Sequence, residues 1–428
     1  MIKNKLSELH TWLGEHEKFV LILLFSFTFL YGITFDEIPK IVLLILIIPL
    51  TALEVIRVGK IYVDYREPLV FLGLSTFYIF WGVIVIQGQG FALLCLMLYI
   101  LSKYIVLSHC KNDTKTILYY IIFFSLMIFI LGVLDYIPVF NGSYAVEAQR
   151  WPSFWKKELW VRDQLDCYFV MISGLPVYAI YLLIKKKKEG FLLLLFSVAG
   201  VLITIYGQGR GITVIFAVSS IITLVFIVFR NWKNKRVRLI VEIIAGVGIV
   251  CLIIAYVMYS NNILGLADIY KKSFWSAQGG IFKNIRFKLK REQLKLLFDY
   301  PFGRCDVELY VGETELLRHV HDTWLDIARR GGLIPFTLVC IYSFVSTADL
   351  IKIWSIDEAD DGLKICLTGL FYAVNLICWV EPMIVMRKSF WGITYMLAGL
   401  FRGLLLTYRK DDKSEGIAYD LLQRKYSN

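Results

Sequence analysis

A chain of 428 residues that is 58% hydrophobic, with a mean hydropathy of +0.64, exceeds the apolar share of a soluble domain. Its apolar residues fall in blocks of roughly 15 to 20 with almost no charge, the length that crosses about 30 Å of hydrocarbon. An ordinary soluble globule is excluded, and the formal net charge of +11 is explained largely by membrane topology rather than by a nucleic-acid partner.

Hydropathy predicts an all-α, polytopic integral membrane protein of about twelve transmembrane helices. The first nine spans are expected at 19–33, 41–56, 69–86, 91–107, 116–139, 168–184, 191–206, 212–229 and 239–258. The last three are expected at 333–350, 365–380 and 390–406. Three regions follow: 1–258 with spans one to nine and a first outer loop at 140–167, a long outer loop at 259–332, and 333–428 with the last spans and a tail. Met1 to Glu17 is polar and the first apolar block lacks a small-residue cleavage site, so no cleaved leader is expected.

Orientation comes from lysine and arginine in short loops. Lys185 to Lys188 and the run Arg230, Lys233, Lys235, Arg236 and Arg238 mark the cytoplasmic side two spans apart, so they agree. Arg57, Lys60, Arg66, Lys111, Lys115 and the tail Arg409 and Lys410 fall on the same side. Both termini are therefore expected inside. The 259–332 loop then lies outside despite carrying a dozen basic residues, which long loops tolerate. A basic external surface beside the bilayer suggests an anionic ligand such as a lipid-linked phosphate.

Eight cysteines show no paired spacing and mostly lie inside apolar blocks, so neither a disulfide framework nor a metal is indicated. Within the spans, ionisable residues are scarce, with Glu54, Lys103, Asp135 and Glu242 the main cases. A transporter or flippase would line a path with facing charges.

The outer residues that could carry chemistry come in four groups. Tyr206-Gly-Gln-Gly-Arg210-Gly211 joins two spans by a tight turn; it reads either as a phosphate clamp or as an interfacial arginine snorkelling to headgroups. On the first outer loop, Arg162 stands near Trp151, Trp155 and Trp160, which could stack on sugar rings or simply anchor the interface. From Asn284 to Gly303, Ile285, Leu289, Leu294, Leu296, Leu297 and Phe298 form an approximate helical stripe with Arg286 and Arg291 on the other faces. Pro301 and Gly303 end it. It is either an amphipathic helix on the outer leaflet or a support that aims Arg286 at a phosphate.

The fourth group is His319-Val-His321-Asp322. In an extended stretch the two histidines share a face, whereas on a helix they diverge by about 200°. A metal would need a third ligand, and no His-x-x-x-His or carboxylate-rich frame exists, so none is assigned. His321 precedes an amphipathic run, Trp324-Leu-Asp-Ile-Ala328, ended by Gly331-Gly332. Asp322 is placed to cap that helix and hold His321 at its mouth, where a neutral imidazole could take a proton from a sugar hydroxyl.

These residues together resemble the O-antigen ligase and polymerase superfamily of bacterial envelope glycosyltransferases. The resemblance is carried by Arg286, Pro301-Phe-Gly303, His321-Asp322, nine residues and Gly332-Leu-Ile-Pro335, preceded by Gln208-Gly-Arg210-Gly at a span start. It extends loosely over nearly the whole chain. Asp322 stands where Asn or Ser is commoner, Pro335 where Gly, Thr or Tyr is usual, and Arg304-Cys305 interrupts the Gly-x-Gly turn. These departures bear on the ligase branch more than on the superfamily.

The resemblance implies a metal-independent and cofactor-free transferase at the periplasmic face of the inner membrane. It would move a glycan from undecaprenyl pyrophosphate to lipid A–core oligosaccharide, or, in the polymerase, to another lipid-linked repeat unit. It also implies His321 as base and Arg210 and Arg286 on the pyrophosphate. Arg291, His319, Asp322 and Arg162 complete the expected substrate-binding set. Membrane lipids are expected partners, and a flippase is the non-enzyme alternative.

Overall fold

The computed structural model describes residues 40–81, 85–109, 114–143, 169–206, 210–231, 285–303, 309–311, 315–317, 322–380, 388–408 and 417–420, with isolated positions between 242 and 263. The first and ninth predicted spans, and His319, His321 and Arg162, lie outside the described residues or among those isolated positions.

Apolar stretches in hydrocarbon must satisfy every backbone N–H and C=O internally, and the helix is the form in which one segment does so alone. Helices accordingly run in the predicted stretches that are described. They are α1 (Lys40–Val58), α2 (Arg66–Trp81), α3 (Val85–His109), α4 (Thr114–Leu134), the single turn α5 (Ile137–Phe140), α6 (Leu175–Ile184), α7 (Glu189–Tyr206) and α8 (Arg210–Arg230). The polar loop contributes α9 (Ile285–Leu296) and α10 (Thr323–Gly331), followed by α11 (Leu333–Trp354), α12 (Asp361–Ile377) and α13 (Lys388–Tyr408). Among the described residues four helices are long and apolar enough to cross a membrane, within α3, α4, α8 and α11, and α6 and α7 are shorter apolar helices. Large apolar side chains stand on the outer faces, with Phe344 75%, Phe229 76% and Leu202 60% exposed. Such a surface is stable against lipid and not against water.

The fold is mostly helical, as expected, and two short antiparallel strand pairs also form among the described residues. β1 (Lys60–Val63) pairs with β4 (Ile417–Asp420), which ties the tail to the α1–α2 junction, and β2 (Leu309–Val311) pairs with β3 (Glu315–Leu317) inside the polar loop. Strands of three or four residues leave no periodicity to read. The expected span 168–184 is broken: residues 171–174 form turns, and α6 starts at Leu175 with a proline in its first turn. The expected span 116–139 ends its helix at Leu134, ahead of the buried Asp135.

Two kinds of contact bind the helices. The first is close backbone approach. Gly399 and Gly403 of α13 lie on one face, four apart, against Tyr99 and Lys103 of α3, also four apart. A Cβ at position 403 would fall 2.6 Å from the Lys103 carbonyl oxygen. Small residues at this spacing let helices meet where no hydrophobic effect drives them together. Gly403→Leu is therefore expected to destabilise the bundle by about 1–3 kcal/mol or more, read as a lowered unfolding midpoint in detergent.

The second is charge pairing, concentrated at one end of the bundle. Arg66 grips Asp349 through both nitrogens of its fork, at 2.8 and 2.7 Å. Arg402 reaches Asp64 at 2.9 Å, and Lys103 pairs with Glu67 while donating to the Tyr62 carbonyl at 2.7 Å. Arg230 bonds Asp361 at 2.6 Å and Asp357 at 3.1 Å. Asp349 and Arg402, inside α11 and α13, thus join the few ionisable residues recognised in the apolar stretches. Each sits within about two turns of a helix end, where sequence blends it into the loop.

Candidate functional site

The opposite end of the bundle is built on α10. In sequence α10 is an amphipathic surface helix, but in the fold every residue from Thr323 to Ala328 is buried, Asp326 included. It lies against α2, α9 and α11, so tertiary contacts cover its polar face as well as its apolar one.

Both ends of α10 are locked. At the start, Asp322 is extended (φ −159°, ψ 114°) and acts as N-cap: its Oδ1 accepts from the Trp324 and Leu325 amides at 3.0 and 3.1 Å. Its other oxygen, Oδ2, lies 2.8 Å from Lys290 Nζ of α9. Lys290 also donates to the Trp379 carbonyl just beyond α12, and the Thr323 amide donates to the Cys378 carbonyl at 2.7 Å. The Trp324 and Trp379 rings close over this junction with centroids 6.4 Å apart.

At the other end, two glycine turns interlock. Gly303 (φ 77°) and Gly332 (φ 87°) hold backbone conformations that side-chain-bearing residues avoid. They are packed so closely that a Cβ at 332 would come 2.6 Å from the Gly303 nitrogen. The Leu333 amide donates to the Pro301 carbonyl at 2.8 Å across the same contact. Arg330 stacks over the Trp81 ring at 4.5 Å, and Phe302 meets Phe80 at 6.4 Å. The motifs Pro301-Phe-Gly303 and Gly331-Gly332, thirty residues apart in sequence, are therefore one structural joint.

Lys290 meets the start of α10 and Pro301 its end, so α9 and α10 run side by side in the same direction. The face of α9 turned inward carries Leu289, Gln293 and Leu297; Leu294 (51%) and Phe298 (76%) are exposed. The expected apolar stripe is thus split, because packing on α10 selects the i, i+4, i+8 row and leaves the rest for lipid or solvent.

Charge at the cap is balanced by geometry. Burial pushes the Asp322 carboxyl above the usual range, while Lys290 and the two cap amides pull it back. Lys290→Met removes the largest of those counterweights and leaves a buried carboxylate without its ion partner. The expected loss is about 3–5 kcal/mol at neutral pH. A carboxyl raised in the folded state binds protons that the unfolded chain has released. Stability therefore falls as pH climbs from the unfolded value near 4 through the folded one, and this window should extend to higher pH in the variant. Unfolding midpoints across pH 4–8 check both statements.

The expected site residues distribute as follows. Asp322 is wholly buried with both oxygens engaged, so it positions its neighbours rather than offering a ligand contact. Arg291 is exposed on α9, 3.8 Å from Glu292 and away from the Asp322 pairing. Position 286 lies in the first turn of α9, four residues before Lys290 and so on the same helix face, one turn beyond the start of α10. Arg210 is the first residue of α8. The end of α8 bonds the start of α12 through Arg230 and Asp361, so these antiparallel neighbours put Arg210 at the end of α12 that Thr323 touches. Positions 210 and 286 therefore belong to one end of the bundle, as the expected topology had them on one side, and His321 lies outside the described residues.

Sequence reading missed Lys290 and the Trp379 carbonyl, because one lysine among many basic residues carries no mark of its partner. Among the described residues no group of three His, Cys, Asp or Glu side chains is arranged to hold a metal. The exposed apolar faces and long apolar helices define an α-helical, membrane-embedded protein. Neither protein-family models nor curated proteins returned a match to the chain.

Proposed function

We propose that the chain is a ligase-type glycosyltransferase that moves a glycan from undecaprenyl pyrophosphate to a lipid A–core acceptor at the periplasmic face of the inner membrane. The observation that carries this reading is the joint between α9 and α10. The basic helix is moored to a capped helix start by Lys290 and Asp322, on the bundle end where α8 begins with Arg210. That arrangement supports a division of labour in which guanidinium groups at 210 and 286 hold a pyrophosphate and His321 removes the acceptor proton.

In this mechanism the acceptor hydroxyl oxygen bonds to the anomeric carbon as His321 takes its proton. The bond from that carbon to the pyrophosphate oxygen breaks, and undecaprenyl pyrophosphate leaves with the electron pair. Charge building on the leaving group is met by the fixed guanidinium forks, which need no reorganisation during the step. A single direct attack inverts the anomeric centre; a product with retained stereochemistry would rule the step out. The buried ion pairs lie at the opposite end and are matched acid to base, which favours a scaffold over the charge-lined path of a flippase.

Complementation tests the assignment. Expression in a ligase-null strain is expected to restore the lipopolysaccharide ladder. Restoration only in a polymerase-null strain, which otherwise shows single attached repeat units, would move the chain to the polymerase branch. Restoration in neither would remove the transferase reading.

A further inference from the structure

At the bundle end opposite α10, the starts of α4 and α12 and the end of α6 line an open recess of about 230 Å³. Three basic residues line it, Lys115, Lys185 and Lys187, against one acidic residue, Asp360. That carboxylate is already occupied, since its Oδ1 caps α12 by accepting from the Leu363 amide at 3.0 Å. Tyr119, Tyr178 and Tyr181 form the aromatic wall, and Lys185 Nζ sits 5.5 Å from the Tyr181 ring centroid. The cavity depends on Gly362: a Cβ there would come 2.9 Å from both Asp360 Oδ1 and the Leu118 side chain. Beside the opening, Tyr119 (62%), Ile184 (52%) and Leu183 (38%) are exposed apolar surface.

An excess of ammonium groups over carboxylates, in a small recess with an aromatic wall, suits a phosphate-bearing group of low volume. The apolar rim places that recess where a headgroup joins its acyl chains. We infer that this cavity is a binding site for an anionic phospholipid headgroup, separate from the glycan-transfer site proposed above and independent of it. A free phosphate would use the same amines but gains nothing from the apolar rim. Sequence reading took Lys185 to Lys188 as a topology marker alone; in the fold Lys185 and Lys187 line the recess, and Lys186 and Lys188 do not.

The test uses the full chain in detergent, titrated with dioleoylphosphatidylglycerol or dioleoylphosphatidylcholine and read by native mass spectrometry. Phosphatidylglycerol is expected to bind at least tenfold more tightly. Lys185→Gln with Lys187→Gln should weaken it by about fivefold per lysine removed, with phosphatidylcholine binding unchanged. Lys186→Gln with Lys188→Gln removes the same charge from the same loop and should leave phosphatidylglycerol binding at the wild-type level. Equal binding of the two lipids by the wild-type chain overturns the site without recourse to any variant. Equal losses in the two double variants reduce it to diffuse surface charge and overturn it likewise. Displacement of phosphatidylglycerol by equimolar inorganic phosphate assigns the cavity to a soluble anion and overturns the lipid assignment.

Discussion

Replacing His321 with alanine is expected to lower glycan transfer by a factor of about 10²–10⁴, the range of a positioned general base, with the unfolding midpoint unchanged. The residue directly follows the stretch bearing His319 and directly precedes Asp322, whose carboxylate is committed to the α10 cap and to Lys290. Asp322 caps α10 by accepting from the Trp324 and Leu325 amides, and the Thr323 amide donates to the Cys378 carbonyl, so the chain is anchored directly after position 321. Transfer from a purified lipid-linked donor, measured with donor binding in parallel, separates the roles. Lost transfer with intact donor binding assigns His321 to chemistry, and full activity shifts the role to His319 or to another base. Arg286→Lys in the same assay should weaken donor binding, because an ammonium cannot reproduce a bidentate fork.

Gly332→Ala is expected to be strongly destabilising. At φ 87° and ψ −173° the residue occupies a region essentially restricted to glycine, worth about 1–3 kcal/mol to any other residue. The added Cβ also meets backbone rather than a yielding side chain, 2.6 Å from the Gly303 nitrogen, which adds about 1–3 kcal/mol of overpacking. Against a total stability of roughly 5–15 kcal/mol, the sum separates the α9 turn from the α10–α11 junction or unfolds the chain. The check is paired: the unfolding midpoint should fall steeply, and limited proteolysis should open new cleavage near Pro301. A variant with wild-type stability and wild-type proteolysis would show that the joint is not needed.

The two predictions address different properties of one assembly. Under the proposed function, His321→Ala is expected to remove transfer and leave the α9–α10 joint intact, whereas Gly332→Ala is expected to break the joint itself. Their combination distinguishes a base from a structural residue without relying on activity alone.

Much of the architecture is legible from composition and pattern. Apolar runs locate α1 to α4, α6 to α8 and α11 to α13, because a lipid-embedded helix satisfies its own backbone, which makes it a local property. The cap at Asp322 and the stop at Pro301-Phe-Gly303 are legible for the same reason, since capping and turn chemistry involve neighbours in the chain. Contacts between distant segments were not. Nothing in the sequence near Lys290 points to Asp322, and nothing near Arg66 points to Asp349, because a charge pair depends on position in space and many basic residues compete for each acid. The same holds for the glycine pair of α13 on α3 and for the burial of α10, whose polar residues read as solvent-facing until three neighbours cover them. Sequence thus determined which apolar segments are helical, by local energetics, though not all of their ends; the tertiary structure alone decided which faces meet, and so joined the basic helix α9 to α10.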